Sequence, residues 1–242
     1  MYNFLISGAV AVVSFLILMF AAGLPWWGAL LVALGLFLGS FVLISRFVMK
    51  KVMDVMEGVT KDLQAQRVEK AISTLKGALP YGKWQMYVTG QINSQIGTIY
   101  FMKRDFSSAF PWLEKGFFKN WVAMGMLAVT YMKRQKKDKM ISTFEKTVQW
   151  SSKESLLWAL YAYCLNESGD TGKAKDTLER GLKKLPSDEN LKENLELLSQ
   201  GKKMKMKDYG DMWLQFHLES LGTIQKRQMA AMGGAKRRIV RR

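Results

Sequence analysis

Charged residues are missing from the first 45 positions of this 242-residue chain, where the earliest Lys, Arg, Asp or Glu is Arg46. The remaining 197 residues carry all 36 Lys and Arg and all 20 Asp and Glu, and thus the whole excess of 16 positive charges. An averaged composition would hide this division, so the two parts are interpreted separately. The charged part is long enough for one or two small soluble domains, and its basic excess favours partners with negative charge.

Cysteine and histidine are almost absent, with one of each. The single Cys164 excludes an intramolecular disulfide, and we expect it to be a buried structural thiol rather than a nucleophile. The single His217 excludes most imidazole-based metal sites and the serine and cysteine triads. No carboxylate pair, metal cluster or nucleophile with a base can be assembled from the sequence. We therefore expect a protein that is not an enzyme and uses no metal or cofactor.

The uncharged part contains two long apolar runs, residues 4–22 and 27–45. At about 1.5 Å per residue each would be about 28 Å long as a helix, close to the hydrocarbon thickness of a bilayer. The turn Gly23-Leu-Pro-Trp-Trp27 supplies a helix-breaking proline and two indoles, which favour the headgroup layer. These features predict a transmembrane hairpin over residues 1–50. A cleaved signal peptide is the alternative for the first run, but a positively charged start is missing and a second run follows at once.

Basic residues lie on one side of this hairpin. None precedes the first span or lies in the turn, whereas Arg46, Lys50 and Lys51 follow the second span. By the positive-inside rule both termini should be cytoplasmic, and we expect an integral protein of a bacterial-type inner membrane. Gly35 and Gly39 form a GxxxG pattern, which lets another helix approach closely. That helix is either the first span or a span of a second copy, in which case the protein is a homo-oligomer.

The part after Arg46 has helical periodicity, few prolines and no alternating strand pattern, so the predicted fold class is all-α. A 34-residue unit starting at Ser155 carries large, small, turn and proline residues at regular offsets. They are Trp158, Tyr161, Ala162, Leu165, Gly169, Asp170, Ala174, Leu178, Gly181 and Pro186. This pattern closely resembles the tetratricopeptide repeat. The resemblance implies an α-solenoid of helix-turn-helix repeats in which small residues permit two antiparallel helices to meet.

Other segments match the same repeat less completely, including an early half-unit around Ala71, Leu75 and Ala78. The expected parts are a hairpin at 1–50, a helical repeat domain at 51–200 with best units at 90–120, 121–154 and 155–188, a capping helix at 187–199, and a C-terminal tail at 201–242. In its layout of two spans before such repeats, the chain is also similar to HemY-type bacterial inner-membrane proteins.

Tetratricopeptide repeats generally bind a peptide or helix of another protein on a concave face formed by the first helix of each unit. The resemblance assigns this groove to the inward positions of the three units, which are Gln91, Ser94, Thr98, Phe101 and Met102, then Val122, Gly125, Val129, Met132 and Lys133, then Leu156, Ala159, Tyr163, Asn166 and Glu167. These side chains are mostly apolar, so an apolar or amphipathic helix is the expected ligand. Alternatively, some of them pack between helices or are covered by the tail.

The tail from Lys202 carries 11 Lys and Arg against 3 Asp and Glu. Its aromatic segment, residues 209–219, is expected to dock on the repeats or on a partner. Basic residues of the tail and of the end of the second span are expected to contact anionic headgroups of the lipid bilayer. They are Arg46, Lys50, Lys51, Lys236, Arg237, Arg238, Arg241 and Arg242. The alternatives are a disordered, solvated tail and a nucleic-acid tether, although nothing here supplies a base-reading module.

These features together predict a membrane-anchored scaffold that recruits or stabilises partner proteins at the cytoplasmic face. One alternative is a structural subunit of a membrane complex that oligomerises through its spans. The other is a tether for nucleic acid or ribosomes through the basic tail.

Overall fold

A computed structural model describes residues 1–219 and Gly222. Within these residues the chain is helical and has no strand, which confirms the all-α prediction. The α-helices in this part are α1 Tyr2–Phe20, α2 Trp26–Gln64, α3 Val68–Ala78, α4 Val88–Met102, α5 Phe106–Glu114, α6 Trp121–Lys133, α7 Lys137–Trp150, α8 Ser155–Glu167, α9 Thr171–Lys184, α10 Glu189–Ser199 and α11 Gly210–Leu214. Two 3₁₀ turns lie at Leu79–Lys83 and Met206–Tyr209. The chain forms two compact units, Met1–Met124 and the described residues from Gly125 onward.

The first two helices form a hairpin, and each is long and apolar enough to cross a membrane. The rings of Phe4 and Phe37 meet edge to face with centroids 5.6 Å apart. At the open end of the hairpin, the side-chain amide of Asn3 donates a hydrogen bond to the hydroxyl of Ser45 at 3.2 Å. Ala29 and Ala33 are buried on α2, where their small side chains allow the close approach of α1.

Gly35 and Gly39 do not take part in this hairpin contact. Both are exposed, and a Cβ built on either glycine would meet no atom within 4 Å. The hairpin packs through alanines instead, because Ala29 and Ala33 lie on the α2 face that meets α1. A role of the two glycines between copies stays a prediction.

Helix α2 extends well beyond the apolar run at 27–45. The helix is 39 residues long in total and ends at Gln64. It is not interrupted after Arg46, because that stretch contains no proline and only one glycine, which a helix tolerates. Beyond the span, buried Val52 and Val59 join Ile72 of α3 in the core of the first unit. The apolar span and the first core helix are therefore one rigid element without a linker.

Five helices end in the same backbone motif. After α2, α4, α6, α8 and α10, a residue with positive φ is followed by one whose N–H donates to the carbonyl five positions earlier. The positive-φ residues are Gln66, Arg104, Gln135, Gly169 and Gly201, which follow one another at separations of 38, 31, 34 and 32 residues. This is the Schellman cap, which satisfies carbonyls at a helix end. One local structure thus recurs along the chain at nearly constant spacing.

Helices α4 and α5, and likewise α8 and α9, approach each other at a glycine. A Cβ on Gly97 would lie 2.7 Å from Cδ2 of Leu113, and one on Gly181 would lie 2.9 Å from Cγ of Trp158. Real carbon atoms do not come so close without a shift of their neighbours. Both helix pairs therefore depend on the missing side chain.

A polar network holds α7, α8 and α9 together in the second unit. The Arg180 guanidinium pairs with the Glu145 carboxylate through two N–O contacts of 2.7 and 2.8 Å. The Tyr161 hydroxyl donates to the same carboxylate at 2.8 Å. Hydrogen bonding from Arg180 holds the pKa of Glu145 below its ordinary value. A depressed carboxyl pKa stabilises the fold above the pKa of the unfolded chain, and that contribution is lost as pH falls through the folded pKa.

We expect Arg180→Gln to lower the free energy of unfolding by about 0.5–1 kcal/mol at pH 7, because both partners are partly exposed and solvent screens the pair. The deficit should shrink as pH falls below the ordinary carboxyl pKa of about 4.3, and it should disappear once the pH is below the depressed pKa of Glu145 in the folded wild type. Thermal unfolding of the full chain in detergent across this pH range measures it. Lys192→Gln, which removes an exposed pair with Glu189, is the control and should change little. A deficit that is independent of pH would contradict the assignment.

Candidate peptide-binding face

The groove positions predicted on α4 are largely covered in the first unit. Ser94 is fully buried, and its hydroxyl accepts a hydrogen bond from the N–H of Phe117 at 2.8 Å. Phe101 is also fully buried and packs against the ring of Phe106, with centroids 5.0 Å apart. Gln91 and Thr98 are half-buried, and Met102 is exposed. The buried members of this set thus hold the helix pair together.

The groove positions predicted on α6 and α8 fall into three classes of exposure. Buried are Gly125, Val129, Leu156 and Ala159, half-buried are Val122, Met132, Tyr163 and Asn166, and exposed are Lys133 and Glu167. Within the second unit, α6 and α8 meet at Gly125, where a built Cβ would lie 3.0 Å from Cδ2 of Leu160. The absence of a side chain at Gly125 leaves a depression between the two helices.

The aromatic segment fills this depression. Phe216 is fully buried, and its Cε1 atom would lie 3.0 Å from a Cβ on Gly125. The ring of Trp213, only 1% exposed, meets the ring of Tyr163 edge to face at a centroid distance of 4.8 Å. Two aromatic side chains three positions apart therefore lie against groove positions of α6 and α8. Residues of the aromatic segment 209–219 thus contact α6 and α8 of the same chain.

Polar contacts tie the same segment to three helices. The Tyr209 hydroxyl lies 3.2 Å from the Ser155 hydroxyl of α8, and the Lys133 ammonium of α6 donates to the His217 carbonyl at 3.3 Å. Upstream, the Lys205 N–H donates to the side-chain oxygen of Asn194 on α10 at 2.6 Å. We name residues 205–219 the docked segment. It lies outside the helix pairs α6–α7 and α8–α9 and contacts them through these side chains.

The docked segment leaves an open cavity beside it of about 630 Å³. Asn166 and Glu167 of α8 line one side, and Lys203, Leu218 and Glu219 line the other. The cavity has both polar and apolar walls and is open to solvent. Two of the predicted groove positions, Asn166 and Glu167, thus remain accessible when the segment is docked.

No protein-family model, curated protein or solved structure matches this chain.

Burial keeps two titratable groups of α8 in their neutral forms, Tyr163 and Cys164. Burial raises the pKa of the Tyr163 hydroxyl to about 12. Burial also raises the pKa of the Cys164 thiol, which is fully inaccessible on α8. A thiol must ionise to act as a nucleophile, so Cys164 is not reactive in this environment. Among the described residues, no group of three His, Cys, Asp or Glu could hold a metal ion.

The basic residues predicted to contact lipid are described only in part. Arg46, Lys50 and Lys51 are all exposed on α2, within two turns after the apolar run. The Lys51 ammonium lies 5.9 Å from the centroid of the exposed Phe47 ring. The other predicted contacts, Lys236, Arg237, Arg238, Arg241 and Arg242, lie outside the described residues.

The groove positions predicted from the sequence do not include Tyr209, Trp213 and Phe216, whose side chains contact α6 and α8. The density of aromatic residues in a short stretch is the one signal in the sequence that points to this segment. Sequence spacing could not assign it to α6 and α8, because the segment lies outside the repeat pattern and has no register with it.

Proposed function

We propose that this protein is a membrane-anchored scaffold whose helical repeats bind a short aromatic or amphipathic segment of a partner protein. The hairpin spans a bacterial-type inner membrane with both termini on the cytoplasmic side. The helical domain is a tetratricopeptide-like solenoid that continues directly from the second span. The protein acts by recruiting or stabilising its partner at the membrane and not by catalysis.

Membrane insertion is supported by the surface of the hairpin. Leu5, Val12, Leu31 and Leu43 are each 60% exposed or more, although they lie in uncharged helices. So much exposed apolar surface is costly in water and suits lipid. Basic residues at the end of the apolar span support the cytoplasmic orientation of the helical domain.

The recurring cap and the two close glycine contacts support the repeat assignment. A solenoid stacks copies of one supersecondary unit, so equivalent turns should recur at a nearly constant spacing of about 34 residues. The separations of 31 to 38 residues between the five capped helix ends meet that expectation. In the resemblance, Gly97 and Gly181 occupy positions where small residues let two helices meet.

The docked segment is the observation that carries the binding proposal. Trp213 and Phe216 are at most 1% exposed, yet they belong to a stretch outside the helix pairs. The face formed by α6 and α8 therefore accommodates two aromatic side chains from a segment that belongs to neither helix. In this proposal the chain's own docked segment occupies the site that a partner's segment would bind. We infer that a partner presents two aromatic or large apolar side chains three positions apart and competes with this segment.

We expect Tyr163→Arg to abolish crosslinking of at least one partner in native membranes, because Tyr163 provides the ring against which an aromatic ligand packs. Crosslinking of the full-length protein followed by mass spectrometry measures this. Met212→Ala is the matched control, since Met212 adjoins Trp213 but is 41% exposed. Both variants are first checked for helicity and thermal unfolding. An unchanged partner list in Tyr163→Arg would contradict binding at this face.

A second candidate function is that of a structural subunit that oligomerises through its spans. The observation in favour is the open space beside Gly35 and Gly39, which the hairpin does not use. A GxxxG face in lipid promotes close helix association. We expect Gly35→Ile to convert an oligomer to a smaller species in mild detergent, measured by light scattering after size exclusion. Gly8→Ile, on a span glycine that also meets no atom, is the control. Identical masses for wild type and both variants would exclude this function.

A further inference from the structure

One exposed apolar loop lies beside the N-terminal end of the first span. Trp84 follows the 3₁₀ turn after α3, and its carbonyl accepts a hydrogen bond from the N–H of Asn3 at 3.4 Å. The ring of Trp84 meets the ring of Tyr2 edge to face at a centroid distance of 5.4 Å. We name residues 84–87 the junction loop. It is fixed to the first residues of α1 within the same compact unit.

These contacts determine the height of the junction loop relative to the hairpin. Helix α1 begins at Tyr2, and its 19 residues are about 28 Å long, so Tyr2 would lie at one boundary of the hydrocarbon layer. The hydrogen bond from Asn3 to Ser45 brings the end of the second span to the same level. Arg46, the first charged residue of the chain, follows immediately. The junction loop is therefore level with the membrane surface.

The side chains that the junction loop presents are apolar and unusually exposed. Met86 is 52% exposed and Tyr87 is 49% exposed, and the next residue, Val88, is already buried. Tyr87 has a φ of +70°, a left-handed backbone conformation that is uncommon for a side chain of this size. Its ring is supported by Phe117 at a centroid distance of 5.2 Å. The local structure thus keeps the Met86 side chain and the Tyr87 ring exposed beside the end of the hairpin.

We propose that the junction loop inserts into the interfacial layer of the bilayer, with Trp84, Met86 and Tyr87 as a third point of membrane contact beside the two spans. Indole and phenol rings favour this layer, where the ring is buried and the polar atom stays hydrated. Lys83, which precedes the loop and is exposed, is suited to headgroup phosphates. This contact would limit tilting of α3 and α4 relative to the hairpin. The proposal rests on the proposed membrane insertion of the hairpin.

Site-specific quenching tests this contact in the full-length protein. An environment-sensitive fluorophore is attached to Met86→Cys, and the protein is reconstituted into vesicles of phosphatidylethanolamine and phosphatidylglycerol that contain spin-labelled lipid. Met102→Cys is the matched control, because Met102 is also exposed but ends α4, about 20 Å further along the helix axis. Leu31→Cys, in the span, reports insertion of the hairpin. The native Cys164 is buried, so wild type should remain unlabelled.

We expect Leu31→Cys and Met86→Cys to be quenched, the first best by a deep spin label and the second best by a shallow one. Quenching at position 86 should exceed that at 102 by about twofold or more, since an interfacial residue lies about 5–10 Å within the boundary layer. Quenching of Leu31→Cys with equal, weak quenching at 86 and 102 would overturn the junction-loop contact and leave the anchor intact. Absence of quenching at Leu31 as well would overturn both.

Discussion

Replacing Trp213 and Phe216 together by alanine is expected to release the docked segment from the second unit without unfolding it. Truncating a fully buried aromatic side chain removes about 3–5 kcal/mol, more than a few polar contacts can replace. Amide hydrogen exchange of residues 206–217 should therefore accelerate by about 100-fold or more, whereas α8 and α9 should retain their protection. Hydrogen exchange with mass spectrometry of the full chain in detergent measures both. Met212→Ala is the control and should leave the segment protected.

The released face should then bind the same segment as a separate molecule. A synthetic peptide of residues 205–219 is expected to bind the double variant about tenfold or more tightly than wild type, because the tethered segment occupies the site in wild type and lowers the apparent affinity. Fluorescence anisotropy of the labelled peptide measures it, with a peptide lacking both aromatic side chains as control. Equal binding to wild type and to the double variant, or continued protection of the mutated segment, would contradict the assigned contacts.

The second large effect is expected at the glycine contact between α4 and α5. In Gly97→Ala the new Cβ would lie 2.7 Å from Cδ2 and 2.9 Å from the backbone nitrogen of Leu113. Leu113 is fully buried and cannot move into solvent, so the two helices must separate. Overpacking of this kind costs about 1–3 kcal/mol, which should lower the Tm by roughly 2–10 °C in a chain of this size.

Gly58→Ala is the matched control for this substitution. Gly58 lies within α2, more than one turn before the helix ends at Gln64, and a Cβ there would meet no atom within 4 Å. Alanine is the better helix former by about 0.5–1 kcal/mol, so this variant should be unchanged or slightly more stable. Thermal unfolding of both variants in the same detergent, followed by circular dichroism, compares them. A Gly97→Ala protein as stable as Gly58→Ala would show that the helices are not in close contact at residue 97.

The helices themselves were predictable because their causes are local. The turn between α8 and α9 is at Gly169-Asp170, where Gly169 has a positive φ that glycine adopts freely. The small residues Ala162 and Gly181 indicate where these two helices pack against each other. Less predictable were Gln66, Arg104 and Gln135, which adopt the same left-handed conformation without being glycine. At these three positions the left-handed residue forms the turn between two helices, and Gln and Arg side chains can adopt that conformation although glycine does so more readily. Residue identity alone therefore reveals only some of the repeated caps.

The candidate face was predictable only as a set of helix positions. The helical register placed Gly125, Ala159 and Tyr163 on inward faces, but it could not say which of them are accessible. Accessibility depends on whether another part of the chain covers them, and the cover comes from Trp213 and Phe216, more than 50 residues after Ala159. Contacts over such a separation leave no periodic trace in the sequence.

The sequence by itself determined the all-helical class and the two apolar helices, because helical periodicity and an uncharged run act through neighbouring residues. Tertiary structure decided which α2 face packs on α1, where Ala29 and Ala33 are used and Gly35 is left open. It also decided that α2 runs unbroken into the first core and that the docked segment covers α6 and α8. These outcomes depend on which apolar surfaces of the chain are complementary in shape and can pack closely, and the composition of the sequence does not specify this.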